Sequence, residues 1–419
     1  MSLKAGISSV DITPPVGVYL TGFGYPEREK PSKGVRMPLK AKCLVLKDGK
    51  EKVAIITADL IGLGKKVTQE VKNLVKEKTG IKNVAILCSH THSGPETSNL
   101  INMAAVDETY LNILPQILAG GTLSASQNME EVEIGSGRGE AKGLTFNRRK
   151  RTFTPADEEV NILKIKGDNL LIHLVNYTCH GVVLGPQNLL IYPDYPGEVQ
   201  RYAEMYLGGV VMFANGCCGN INPICYYYKW GSGTFTEAER MGKIIAAETL
   251  KISLNIKTSS KIKLSFKRKE IKLPLRWPKV SEAENLCKEA KDYANLHKGY
   301  AQNAIMWSEK VLKRVKEKDT PLDLLSEICL LSLNDTALIS LPGEVYVQIG
   351  QRIKRESPYP HTLVMGYANE VVGYIASEDD FEEDWLKNNS PVWYWGPYFF
   401  DRSIGKVIIK ECLNLLQEN

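Results

Sequence analysis

Residues 83–96 read NVAILCSHTHSGPE. Five apolar residues, Val84 to Cys88, are followed at once by two histidines two places apart. A short apolar run bounded by polar residues reads as a buried strand. Strand side chains two apart point to the same side, so His90 and His92 are expected to face one space. The whole chain carries six histidines in 419 residues, which makes a close pair informative. Two converging imidazoles suit a metal ion, or one metal ligand beside one acid/base group. Two histidines satisfied by loop carbonyls is the other reading, because H-x-H is a common spacing.

Outward from this stretch, strands and helices alternate. AKCLVLKDGKEKVAIITADL (41–60) reads as two strands about Asp48-Gly49, a hairpin signal. KKVTQEVKNLVKEKTG (65–80) has helical spacing and ends at Gly80, a C-cap residue. A helix is expected near 107–128, then strands and helices through EVNILKIKGDNLLIHLVNYTCH, PGEVQRYAEMYLG, GVVMFANGCCGN and TEAERMGKIIAAETLKIS. Residues 281–317 read as one or two amphipathic helices. This alternation predicts an α/β fold, mixed β-sheets flanked by helices, with functional groups at strand ends. No internal repeat or linker is legible, so residues 1–419 are expected to form a single domain with a helical insertion at about 281–317.

Composition narrows the classes of function. There are 53 basic and 48 acidic residues, net +5, with much of the excess on lysine-rich helical faces such as KNLVKEK and KVLKRVKEK. No dense basic stripe with interleaved aromatics is read, so no nucleic-acid partner is expected. No apolar run is long enough to span a membrane, so no stable insertion is expected. The opening MSLKAGISSVDITPP lacks the apolar segment of a secretory signal, which points to a cytoplasmic protein. Nine scattered cysteines, an odd number, read as reduced and buried thiols.

A second apolar strand ends in a histidine and a glycine, LVNYTCHGVVLG, which adds His180; His173 in the same strand has the opposite parity and reads as a sheet-face residue. In ALISLPGEVYVQIG a strand breaks at Pro342-Gly343 and delivers Glu344 at the start of the next helix, where a carboxylate also suits the helix dipole. Two histidines and a glutamate at strand ends match a catalytic zinc site with one open position.

These segments resemble the neutral (non-lysosomal) ceramidase family over most of the chain, in order. GISSVDITPPVGVYLTGFG resembles the family's opening, SHTHSGPE its histidine signature, and FNRR its Asn-Arg segment. NYTCHGVVL with YPDYPGEV, then GCCGNINP, LPGEVY and NEVVGYIAS, resemble its later elements. The resemblance implies the family's catalytic-domain fold. It also implies Zn2+ bound by His90, His180, Glu344 and Tyr374, with Tyr367, Tyr394 and Tyr398 nearby as alternatives to the last. It further implies His92 as the catalytic acid/base and Arg148 as the group that polarises the substrate carbonyl. Asn222 stands where the family carries a serine; it can hydrogen-bond substrate but cannot act as a nucleophile, which puts ceramide specificity in doubt. The family's C-terminal immunoglobulin-like domain is expected to be absent.

Asp194 and Asp59 are candidates for orienting the imidazoles, with turn capping favoured for Asp59. Cys217, Cys218 and Cys225 read as small buried residues rather than a thiolate site. The aromatic segments PICYYYKWGSG and SPVWYWGPYFF supply Tyr226, Trp393, Tyr394 and Trp395 as expected walls of a substrate cleft, or else of an oligomer interface. The expected function is a zinc-dependent amidohydrolase taking a small-molecule N-acyl substrate. A zinc esterase using the same site, or a catalytically silent binding protein, are the alternatives. No exposed apolar or basic docking surface is legible, so a substrate smaller and more soluble than ceramide is expected.

Overall fold

The computed structural model describes residues 2–24, 27–49, 51–296, 301–381 and 391–418. In it one topological unit occurs three times. In the first, β1 (Lys4–Asp11), β2 (Lys40–Asp48) and β3 (Glu51–Ala58) run antiparallel in succession. Helix α1 (Lys65–Thr79) then carries the chain to β4 (Asn83–Cys88), parallel to β3, and α2 (Glu108–Gln127) packs beside α1. The second repeats this as β5 (Glu133–Glu140), β6 (Glu159–Lys166), β7 (Leu171–Tyr177), α3 (Asp194–Leu207), β8 (Val210–Asn215) and α4 (Phe235–Asn255).

The third begins with β9 (Leu264–Arg276), and a helical hairpin of α5 (Val280–Leu296) and α6 (Ala301–Lys316) is inserted after it. It continues with β10 (Asp323–Leu333), β11 (Thr336–Ser340), α7 (Val347–Glu356), β12 (His361–Met365) and α8 (Ile404–Gln417). The repeat invisible in the sequence is therefore present in the topology. That no repeat is legible in the sequence stands beside this recurrence, because a shared topology needs only a like order of apolar elements, which many different side chains satisfy.

Alternation along the strands explains how the units assemble. Cys43 and Val45 of β2 pack under α1 and α2, whereas Leu44 and Leu46 turn to the opposite face. The second and third sheets do the same, with Val160 and Ile162 against α3 and α4, and Leu330 and Ile339 against α7 and α8. The inner faces of all three meet in one shared core, where Leu46, Ile55, Leu163, Leu174, Leu338 and Leu363 are all buried. Each sheet is thus covered on both faces, which accounts for strands that are almost continuously apolar.

Two local readings hold in detail. The hairpin turns at Asp48-Gly49, with Gly49 at φ 57°, and α1 stops at Gly80 with φ 75°, its N–H donating to the Lys76 carbonyl. The parallel pairs β3/β4, β7/β8 and β11/β12 all run toward the same end of the molecule's shared core, where Asn215 ties the units. Its Nδ2 donates to Ser89 O (3.0 Å) and Cys179 O (2.8 Å), while its backbone carbonyl accepts from Gly366 N (3.1 Å). Functional groups collect at such carboxyl ends of parallel strands.

The inserted hairpin is clamped by Trp307, which is fully buried, packs edge-on to Phe399 at 4.7 Å and donates Nε1–H to Gly396 O. Asn303 on the same helix donates to the Ile101 carbonyl, so the insertion braces a loop of the first unit. Trp307→Ala is expected to lower stability by about 3–5 kcal/mol, as large aromatic truncations in cores do. Denaturant midpoints of the two proteins check this, and a loss below ~1 kcal/mol would show that the hairpin is not held by this residue.

Candidate metal centre and catalytic cavity

His90 and His92 lie beyond the end of β4, in a loop, and strand alternation is not what brings them together. His90 adopts φ 62°, its N–H donates to Leu60 O at 2.9 Å, and Thr91 forms an isolated parallel bridge with Gly181. His92 N–H then donates to Gly181 O at 3.0 Å. A side chain at Gly181 would place its Cβ 2.6 Å from the His90 carbonyl, which is why a glycine follows His180. The rings meet as the sequence reading expected, with centroids 4.8 Å apart for His90–His92 and 4.7 Å for His90–His180.

Glu344 arrives by a different route from the one expected. It is not in a first helical turn but in a two-residue strand, Glu344–Val345, paired in parallel with Tyr374–Ile375 before α7 begins. Gly343 at φ 83° makes the break that aims it inward. Glu344 and Tyr374 are direct partners in this ladder.

The hydrogen bonds fix the tautomers. His90 Nδ1 meets Ile61 O at 2.6 Å, His92 Nδ1 meets Gly22 O at 2.9 Å, and His180 Nδ1 meets Cys218 O at 2.6 Å. A carbonyl only accepts, so each Nδ1 carries a proton, and Nε2 is the atom each ring turns toward the others. Those nitrogens converge with the Glu344 carboxylate. Glu344 Oε2 lies 3.3 Å from His90 Nε2 and 3.1 Å from His180 Nε2, and His92 Nε2 lies 3.1 Å from His90 Nε2. Imidazole nitrogens and a carboxylate converging in this way fit a bound cation, and the buried group His90, His92 and His180 could hold a metal ion. Burial, then the nearby Arg148 charge, pushes His180 down to about 3, and burial with His90 and His180 beside it pushes His92 well below the usual imidazole range. Burial opposes ionisation of Glu344, but His90 and His180 outweigh it and hold the carboxyl well below its usual range.

A cavity of about 390 Å³ opens onto this centre. Its wall includes the expected His90, His92, Arg148, Asn222, Glu344, Tyr374, Tyr394 and Trp395. Arg148 donates through one terminal nitrogen to Gly219 O (2.7 Å) and Tyr374 Oη (2.9 Å). Burial works against its charge, and Tyr374 and Glu344 outweigh that effect. The short ladder of Thr145–Asn147 with Ile221–Pro223 sets Arg148 near Asn222, whose Oδ1 is buried without a hydrogen-bond partner among the described residues. Tyr367 stacks on His90 at 3.9 Å and reaches Glu344 Oε2 at 3.4 Å, so it backs the centre, whereas Tyr374 lines the cavity.

Tyr226, Trp393 and Asp194 depart from their expected places, whereas Asp59 and the cysteines keep theirs. Tyr226 and Trp393 are buried behind the wall, Tyr226 against Trp230 at 5.0 Å and Trp393 against Tyr293 at 5.6 Å. Asp194 accepts the N–H groups of Val183, Leu184 and Tyr195 and caps backbone instead of orienting an imidazole. Asp59 likewise takes Lys40 N–H and Gln200 Nε2, in keeping with turn capping. Cys217 and Cys225 are both pushed up to about 12 by burial, and Cys218 well above its usual range, so all three are thiols.

Sequence reasoning missed Phe23, Glu27, Leu100, Met103, Arg149, Val182 and Trp230 on the wall. It also missed Arg28, a buried guanidinium that holds the loop by donating to His92 O at 2.6 Å and to the carbonyls of Thr21, Gly185 and Pro186. Trp230 lies inside the aromatic segment that was singled out, and Phe23, Arg149 and Val182 lie inside quoted motifs without being picked from them; Glu27, Leu100, Met103 and Arg28 carry no local signal. Among the described residues no helix is long and apolar enough to cross a membrane.

Comparisons with known proteins bear on the fold and the family. The chain matches solved structures titled neutral ceramidase from Pseudomonas aeruginosa (TM-score 0.75, 18% identity, 100% of this chain and 75% of that one) and ceramidase complexed with C2 (TM-score 0.74, 16% identity, 100% and 76%). At such identities the likeness establishes the fold. Residues 3–215, about half of the chain and the part that supplies His90, His92, Arg148 and His180, match the family model described as neutral/alkaline non-lysosomal ceramidase, N-terminal, and the chain belongs to that family.

Proposed function

We propose that the chain is a zinc-dependent hydrolase that cleaves the amide bond of an N-acyl substrate smaller than a two-chain ceramide. The observation that carries this reading is the set of converging nitrogen and oxygen atoms at the floor of a cavity that also holds a buried arginine. His90, His180 and Glu344, completed by Tyr374, would hold the ion. When bound, zinc would polarise the scissile carbonyl and make water acidic enough to attack near neutral pH.

The chain's own residues supply the rest. His92 is 9% exposed, against 1% for His90, 0% for His180 and 3% for Glu344, so it is the imidazole nearest to arriving substrate. Its Nδ1–H is committed to Gly22 O, which leaves Nε2 to take a proton from the attacking water and return it to the leaving amine. Arg148, held charged and oriented by Gly219 and Tyr374, would stabilise charge developing on the substrate oxygen. Asn222 cannot attack, so a water route is the one its carboxamide allows. Tyr394 and Trp395 would hold the acyl part. The cavity volume is near the low end of the ~300–1,000 Å³ typical of ligand sites, in keeping with a single-chain substrate.

Elemental analysis of unchelated protein is expected to find about one zinc per chain, in line with a single four-ligand site. A value far lower, or one unchanged in a His90→Ala/His180→Ala double variant, would sink the zinc reading. His92→Ala is expected to keep its metal and to lose about 10²–10⁴ in kcat. Loss of metal on a par with His90→Ala would make His92 a ligand instead.

Gly22 is at φ 93°, and a Cβ there would fall 2.3 Å from His92 Nδ1. Gly22→Ala is therefore expected to mimic His92→Ala in kcat while the metal content stays at the wild-type level. A fully active Gly22→Ala protein would show that the position of His92 is not critical. A screen of short N-acyl amides, matched esters and long-chain ceramide tests the substrate. Efficient ceramide turnover with no preference for short amides would overturn the size assignment, and faster ester cleavage would overturn the amide assignment.

A further inference from the structure

Beyond the paired histidines the chain runs SGPETSNL (93–100), a loop with a carboxylate that the chemistry above does not use. Glu96 is 2% exposed, and its two oxygens serve different segments. Oε1 accepts the N–H groups of Ser98 (2.7 Å) and Leu100 (3.3 Å) and the Ser98 hydroxyl (2.9 Å), all within its own loop. Oε2 accepts the hydroxyl of Thr21, 75 residues earlier in the chain. Burial pushes the carboxyl up, and these four donors work in the opposite direction. A buried polar atom left without its partner costs about 1–3 kcal/mol, so the carboxylate enforces both sets of bonds.

Thr21 is held at every polar atom. Its N–H donates to Gly94 O at 2.9 Å, its carbonyl accepts from Arg28 at 3.1 Å, and its hydroxyl is taken by Glu96. The next residue is Gly22, whose carbonyl takes the Nδ1–H of His92. A second tie of the same kind lies one residue along the loop. Thr97 donates its hydroxyl to Gly62 O at 2.6 Å and accepts from Gly64 N at 2.9 Å, and the neighbouring Ile61 O receives the Nδ1–H of His90. At its far end the same loop supplies Leu100 to the cavity wall. One buried side chain thus fastens the apolar wall to the backbone that aims His92.

We propose that Glu96 is a positioning residue for the centre: through Thr21 it fixes the Gly22 carbonyl, and with it the direction in which His92 presents Nε2 to substrate. The placement stands on these bonds; the effect on turnover rests on the function proposed above. A residue that only capped its own loop would need Oε1 alone. The bond from Oε2 to a distant segment, next to the carbonyl that holds His92, assigns it the further role.

Thr21→Val removes the donor at nearly constant shape, and Thr21→Ser keeps it. Turnover is measured on the short N-acyl amide that the wild type cleaves fastest, with zinc content alongside. Thr21→Val is expected to lower kcat by roughly tenfold to a hundredfold, with KM and zinc near their wild-type values. Thr21→Ser is expected to restore kcat. Glu96→Gln acts on the same link, so the Thr21→Val/Glu96→Gln double variant is expected to lose no more than the worse single one. A second readout does not depend on activity: exchange of the imidazole Nδ1–H protons, followed by NMR on histidine-labelled protein and assigned by His92→Ala and His180→Ala. In Thr21→Val the His92 proton is expected to exchange about tenfold faster or more, while that of His180, held by Cys218 O, keeps its rate. An unchanged His92 exchange rate overturns the proposal, and so does equal acceleration at both rings, which marks general loosening. In an active enzyme it is also overturned by an undiminished kcat, a loss carried by KM, no rescue by Thr21→Ser, or losses that add in the double variant. If the wild type cleaves no amide while the exchange rates respond as expected, the positioning stands and the amidase reading fails.

Discussion

Three ring nitrogens and a carboxylate oxygen converge in a centre almost closed to solvent. A single buried acceptor without a donor costs about 1–3 kcal/mol. Several in contact add mutual repulsion, and a cation between them reverses the sign of every term. The surroundings are built to keep this arrangement. Ile61, Gly22 and Cys218 carbonyls lock the three tautomers. Arg28 ties down the carbonyl of His92, and Tyr367 stacks on His90. These partners come from all three topological units, so the centre depends on their assembly and not on any one of them.

That dependence explains what was legible in the sequence. Local signals read correctly where local physics decides: the Asp48-Gly49 turn, the Gly80 cap and the apolar strand before His90. The convergence of His90 and His92 was anticipated for an incomplete reason, since strand parity gives the same answer as a positive-φ loop held by Gly181. Glu344 was found but assigned to a helix, because Pro-Gly before a helical pattern resembles an N-terminus and the two-residue ladder to Tyr374 is nonlocal. Tyr226 and Trp393 were misplaced because composition counts rings without saying which side of a wall they occupy. The threefold recurrence of the unit left no readable repeat, since only the apolar period is shared.

The inserted hairpin α5–α6 shows how one unit departs from the others to serve the cavity. It packs through Trp307 on Phe399, and its Asn303 reaches the Ile101 carbonyl. Ile101 N–H in turn donates to Tyr394 O at 2.7 Å. Leu100 and Met103 from that loop and Tyr394 with Trp395 form adjoining parts of one wall. The hairpin thus holds the apolar side of the cavity, and the polar side is set separately by the ladder that carries Arg148 and Asn222.

This division bears on which group moves the proton. Glu344 Oε2 is shared between two imidazoles and adjoins the Tyr367 hydroxyl, so its lone pairs are committed to the floor of the site. His180 is enclosed completely, with Nδ1 held by two carbonyls. His92 sits at the outer edge, between Gly22 and Phe23, with its Nε2 3.1 Å from His90 Nε2 and its ring 5.8 Å from that of His180. An acid/base group must reach substrate and change protonation without dismantling the site that activates the attacking water. Under the function proposed above, His92 is the member of the set whose position would meet both demands.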